Sequence, residues 1–192
     1  MKGKNMHIRH DHSYSASTPE LRKMVFASLF AALTAAGAYI QVPIPFSPVA
    51  VTLQVFFVLL AGSMLKSKWG SLSMIVYTLL GIVGLPVFSG GSSGLGVLLG
   101  PTGGYIFGFI VAAFLIGKLA EKAERAEKAG IAVNVLNMSA GILVIYALGV
   151  TQLMIVAEIG PGTALTLGAL PFIPGEIIKT AVAAYIVSNY KL

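Results

Sequence analysis

Six mainly apolar runs divide this chain, at residues 21–41, 52–65, 71–85, 105–119, 131–156 and 176–190. Several approach or exceed the roughly 20 residues a helix needs to cross a bilayer. No other feature constrains the fold as strongly. In hydrocarbon, every backbone N–H and C=O must be satisfied within the protein, so spanning runs of this kind are read as helices. Composition agrees: 56% of the 192 residues are hydrophobic, only 10% are charged, and the mean hydropathy is +0.86. The expected fold class is all-α, a polytopic membrane protein. A polar tail is expected over 1–20 and a single six-helix transmembrane domain over 21–192, with no room for a soluble domain. The tail is polar and the first apolar run is long enough to span, so no cleavable signal peptide is expected.

The charges give an orientation. Thirteen bases against seven acids leave a net charge of +6. The bases flank apolar segments, so they do not suggest a nucleic-acid partner. Lys2, Lys4, Arg9, Arg22 and Lys23 precede or open the first run. Lys66 and Lys68 follow the second, and Lys118, Lys122, Arg125 and Lys128 follow the fourth. Lys191 closes the chain, and the connections after runs one, three and five carry no base. This alternation predicts that both termini are cytoplasmic. Trp69, beside the basic pair, suits a membrane interface. There is no cysteine, hence no disulfide framework.

The base-free connections are unusual loops. Pro43, Pro45 and Pro48 break any helix over 42–51, yet the segment stays apolar. Residues 84–105 are dense in glycine and carry no charge. Exposed backbone of this sort is tolerated at membrane depth only where protein or a cavity satisfies it. The stretch lacks the Gly-Lys-Ser/Thr ending of a phosphate-binding loop. It is expected to be a re-entrant lid or cavity wall. Residues 158–172 form a third Gly/Pro loop. All three are expected to be embedded on the outer side of the membrane.

Against this background a few polar side chains stand out. Pro174 and Gly175 mark the start of the last helix, where proline is tolerated. Glu176 and Lys179 follow at i and i+3, on one face, among isoleucine, valine and alanine. A charge near the centre of a membrane helix costs about 2.5–3.5 kcal/mol on insertion scales. The pair is therefore a candidate ligand site; a purely structural ion pair is the alternative, although burying such a pair seldom stabilises in itself. Gln54 is either a site residue or an interhelical hydrogen-bonding group. Ala27, Ala31 and Ala35, with Ser28, Ala32 and Ala36 beside them, form small-residue stripes on the first helix. Such stripes let another helix approach closely, either inside the bundle or from a partner protein. His7, His10 and His12 allow a metal site or merely a polar tail. No His-Glu-x-x-His, Gly-x-Ser-x-Gly or Walker motif is present, so neither enzymatic activity nor a cofactor is expected. What remains is an outward cavity with one acid and one base, suited to a small ligand with donors, acceptors and an apolar body.

Four blocks carry a family resemblance: 41–54 (QVPIPFSPVAVTLQ), 84–91 (GLPVFSGG), 100–105 (GPTGGY) and 174–179 (PGEIIK). Together they resemble the BioY family, the biotin-binding substrate (S) components of energy-coupling factor (ECF) transporters. The likeness covers residues 21–190. It implies a six-helix S-component fold in the cell membrane, with biotin bound near the outer face. It also implies partners: a transmembrane T component and ATP-binding subunits. By the same likeness, Glu176 and Lys179 would contact biotin, with glutamate standing where aspartate is commoner. Ser92 best matches the polar residue of the glycine loop, and Ala27 and Ala31 match the surface that docks the T component. Gln54 and Tyr105 complete the expected ligand-binding set. Two other readings stay open: an S component or stand-alone carrier for another vitamin, and an integral membrane enzyme.

Overall fold

The computed structural model describes residues 18–190; His7, His10 and His12 lie outside them. Helix α1 spans Thr18–Gly37. A two-residue ladder follows, β1 (Gln41–Val42) against β2 (Val51–Thr52), antiparallel with Gln41 opposite Thr52. The proline-rich segment is thus the tip of a small hairpin, the one strand pair among the described residues. Next come α2 (Gln54–Ile82), the short α3 (Leu95–Leu99), α4 (Gly103–Arg125) and α5 (Ile131–Val156). A short helix α6 (Pro161–Gly168) leads through a 3₁₀ turn (Leu170–Phe172) into α7 (Ile173–Asn189). Pro174 falls in the first turn of α7, where its missing N–H costs nothing.

The second and third apolar runs are both in α2. The helix breaks at Lys66, whose φ of 67° and ψ of −174° no helical residue adopts. The arms on either side fold back on each other. Gly70 lies so near Ala61 that a Cβ there would sit 2.9 Å from the Ala61 carbonyl oxygen. Gln54, at the far end of the first arm, meets Tyr77 of the second. The basic turn read from the sequence is therefore a hairpin made at a single residue. A side chain in that backbone region costs about 1–3 kcal/mol and persists only where its surroundings impose it. Here they do. Lys66 Nζ donates to Glu124 Oε1 at 2.6 Å and to the Ser63 carbonyl at 3.1 Å. Ser67 donates its N–H and hydroxyl to Glu121 Oε1 at 3.1 and 2.7 Å.

Helix α4 is the centre of the bundle, packed on α2 to one side and on α5 to the other; α1 covers α2, and α7 lies against α5 and α2. Glycine makes the α4–α5 contact possible. A Cβ at Gly104 would fall 2.3 Å from the Leu148 carbonyl oxygen, so the two backbones touch as only small residues permit. Ala27 and Ala31 are 4% and 1% exposed, buried in the core, and Ser73 of α2 donates its hydroxyl to the Ala27 carbonyl at 2.7 Å. Of the two uses open for that stripe, packing inside the bundle is the one realised. Ala27 and Ala31, which the resemblance matched to the surface that docks the T component, are thus covered by α2 in this bundle. Ser28, Ala32 and Ala36 are the small residues that α1 exposes.

Large apolar side chains cover much of the outside, among them Leu136, Leu143 and Ile155 on α5. Among the described residues, three helical stretches are long and apolar enough to cross a membrane: Gly103–Arg125, Ile131–Val156 and Pro161–Asn189. This is a multi-pass membrane protein with a lipid-facing surface. The α2 turn and the end of α4, with their bases, meet at one end of the bundle through Lys66–Glu124 and Ser67–Glu121. The base-free loops meet at the other.

Candidate functional site

The base-free loops enclose a cavity of about 490 Å³, within the range of small-molecule sites. Each loop contributes to its wall. Val51 and Thr52 come from the hairpin, Ser92 and Val97 from the glycine-rich stretch, and Phe172 from the turn before α7. The helices supply Gln54, Tyr77, Tyr105, Tyr146 and Glu176. The charge-free stretch 84–105 is thus a cavity wall, as its composition suggested. It is closed by its own backbone pairing, Phe88 N–H to the Ser92 carbonyl at 3.0 Å, and tied to α2 by Gly94 N–H to the Gly81 carbonyl at 2.8 Å. Phe88 anchors it. The ring is fully buried, edge-on to Tyr77 at 5.6 Å, and occupies the place a side chain at Gly81 would need. Gln152 of α5 holds the next turn, donating to the carbonyls of Leu98 and Gly100 at 2.6 and 2.7 Å.

Four of the five residues expected to bind ligand line this cavity: Glu176, Gln54, Tyr105 and Ser92. Lys179 is not on its wall. Its ammonium donates to Glu176 Oε1 at 2.5 Å and to the Thr52 carbonyl at 3.0 Å. Both members of the pair are nearly buried, at 6% and 8% exposure. Lys179 therefore stands behind Glu176 and ties α7 to β2. Glu176 Oε2 is different: it is buried and accepts no hydrogen bond of good geometry from the described residues, although the Tyr146 hydroxyl stands beside the carboxyl. A buried carboxylate oxygen without a donor is costly. On a cavity wall, it is a place for a donor from elsewhere.

The remaining polar groups are mostly engaged. Gln54 Nε2 donates to Tyr77 Oη at 2.5 Å, so the interhelical bond and the cavity position hold together. Tyr105 Oη donates to the Gly168 carbonyl at 2.8 Å, and Ser92 Oγ to the Ser89 carbonyl at 2.9 Å. Tyr146 stacks on Phe172, ring centroids 6.3 Å apart and 14° between planes, and meets Tyr105 edge-on. One side of the cavity is thus an aromatic wall. Sequence reading missed Tyr77, Tyr146, Phe88 and Phe172. The only signal for the tyrosines was a hydroxyl inside an apolar run, a weak one. Among the described residues there is no cluster of three or more groups able to hold a metal ion.

Comparison with known proteins supplies the relatives. The family model described as the BioY family matches residues 7–192. The "Biotin transporter BioY" of Thermotoga maritima is 45% identical over 172 residues, covering 89% of this chain and 96% of that protein. The "Probable biotin transporter BioY" of Pyrococcus horikoshii is 43% identical over 165 residues, covering 86% and 93%. In structure, the chain is similar to the crystal structure of the S-component for biotin from an ECF-type ABC transporter. The TM-score is 0.84 at 28% identity, with 90% of this chain and 92% of that one covered. Matched in sequence along nearly its whole length and in fold to a solved S-component, this chain belongs to the BioY family.

Proposed function

We propose that this protein is the biotin-binding S component of an ECF-type vitamin uptake transporter. The observation that carries the reading is Glu176 Oε2, a buried acceptor beside the Tyr146 hydroxyl but without a well-formed bond, on the wall of a cavity that is otherwise largely apolar and aromatic. Biotin has a ureido ring with two N–H donors, one strong carbonyl acceptor, an apolar fused ring and a carboxylate tail. Glu176 accepts from a ureido N–H. The fused ring lies between the Tyr146–Phe172 stack and the glycine-rich wall. Lys179, bonded to Oε1 from behind, holds the Glu176 carboxyl in place toward the cavity. The relatives' names supply the ligand; the cavity supplies a fitting size and chemistry.

The proposal extends to topology and partners. Six segments cross the membrane, the two arms of α2 each counting as one, and both termini are cytoplasmic. At about 1.5 Å per residue, arms 54–65 and 67–82 reach only roughly 18 and 24 Å, short of the roughly 30 Å core. The embedded hairpin and glycine-rich stretch complete the depth. The chain contains no nucleotide-binding motif, so concentrative uptake requires a T component and ATP-binding subunits. The exposed Ser28–Ala32–Ala36 face of α1 supports docking of the T component better than the buried Ala27 and Ala31. Equilibrium titration of the purified protein with biotin, against thiamine and riboflavin, tests the ligand. Tight binding of biotin alone is expected; binding of another vitamin in its place overturns the reading.

A further inference from the structure

A second opening of about 560 Å³ lies at the basic end of the bundle, between the start of α1 and the Lys66 turn. Arg22, Lys23, Lys66 and Lys68 line it, with Glu121 as its one acid. Glu121 is held by Ser67, and Lys66 by Glu124. Arg22, Lys23 and Lys68 form no ion pair among the described residues. Two of them lie over aromatic rings instead: Arg22 5.6 Å from the centre of Phe26, Lys68 5.4 Å from that of Trp69.

An apolar surface continues from these cations along both helices. Val25 and Leu29 follow Arg22 at i+3 and i+7 on α1. Leu72, Ile75 and Leu79 follow Lys68 at i+4, i+7 and i+11 on the second arm of α2. All five are exposed, between 37% and 59%. In a membrane protein, such side chains face acyl chains, and a tryptophan beside lysine marks headgroup depth. A soluble anion matches only the cations, and an apolar partner only the track. A molecule with a phosphate at one end and hydrocarbon at the other matches both.

We propose that this surface binds an anionic glycerophospholipid. Arg22, Lys23 and Lys68 hold the headgroup phosphate, and the acyl chains lie along Leu72, Ile75 and Leu79 of α2, clear of the Ser28–Ala32–Ala36 face of α1. Charge complementarity at headgroup depth selects anionic over zwitterionic lipid. The site is independent of whatever ligand occupies the other cavity.

The test is lipid retention. Full-length protein is reconstituted in vesicles of phosphatidylglycerol and phosphatidylcholine, extracted in mild detergent, and its retained lipid quantified by mass spectrometry. Enrichment of phosphatidylglycerol by about tenfold or more is expected. Combined Arg22→Gln, Lys23→Gln and Lys68→Gln should cut it to about threefold or less. A control variant, Lys122→Gln with Arg125→Gln and Lys128→Gln, removes the same charge at the same end outside the opening and should keep it. Unchanged biotin titration shows that the variants are folded. Equal retention of the two lipids overturns the proposal, as does equal loss in the control. Displacement of the lipid by millimolar inorganic phosphate would mean a soluble-anion pocket. A triple variant that keeps lipid selectivity but loses a membrane partner would mean a protein-docking face. Either result also overturns it.

Discussion

Lys179 donates to Glu176 Oε1 from one turn along α7, and with the same ammonium to the carbonyl of Thr52 in β2. The lysine thus fixes both the acid and the hairpin that closes the cavity, without lining the cavity itself. On this geometry the proposed role of Lys179 is to position Glu176. Lys179→Met should weaken biotin binding about tenfold or more, by freeing a buried carboxylate. Residues acting through one another are not additive. The double variant Lys179→Met/Glu176→Gln should therefore bind little worse than Glu176→Gln alone. Calorimetric titration of the four proteins gives the coupling; additive losses would mean that Lys179 contacts the ligand independently.

The Gln54–Tyr77 bond closes the open end of the α2 hairpin. Leaving one buried partner unsatisfied costs about 1–3 kcal/mol, whereas replacing both by apolar groups costs less. Gln54→Leu and Tyr77→Phe should each lower the thermal unfolding midpoint. The double variant should lie above the sum of the two shifts. Scanning calorimetry in detergent checks this.

On α1, neighbouring alanines should behave oppositely. Ala31 is buried, so Ala31→Trp overpacks the core and should destabilise the protein by about 1–3 kcal/mol or more. Ala32 is exposed. Ala32→Trp should leave folding and biotin titration unchanged and abolish co-purification with a T component. Retained co-purification would place the docking face elsewhere.

Topology is open to impermeant thiol labelling, since the chain has no native cysteine. Single cysteines at Ser93 and Gly162, both exposed beside the cavity end, should react from outside intact cells. One at Glu124, in the basic end, should react only after permeabilisation. Labelling of the Glu124 position in intact cells would invert the orientation.

Much of this was legible in the sequence because a bilayer leaves few options. Apolar length gave the helices; the fifth run, 131–156, coincides with α5. Glu176 stood out because charge is rare in such a segment. The hairpin at Lys66 was legible as a basic turn but not as a single-residue break, since nothing in a lysine announces a positive φ. That break depends on Glu124 and on Gly117 of α4, where a Cβ would fall 2.2 Å from Ser67 N. The two alanine stripes could not be told apart, because periodicity shows that a face exists and not which neighbour covers it. Lys179 was expected on the cavity wall beside Glu176. Its long side chain turns instead to the Thr52 carbonyl, a partner 127 residues away that only the fold brings near.

The most direct measurement is equilibrium titration of biotin against the purified wild type and Glu176→Gln. A charge-assisted hydrogen bond contributes about 1.5–3 kcal/mol, so its loss should weaken binding roughly ten- to a hundredfold. Glu176→Asp keeps the acceptor with a shorter reach and should lose less. Tight biotin binding by the wild type, with that loss in a folded Glu176→Gln, is the expected result. Unchanged affinity in Glu176→Gln would contradict it, leaving the Glu176–Lys179 pair a structural ion pair and the ligand held elsewhere.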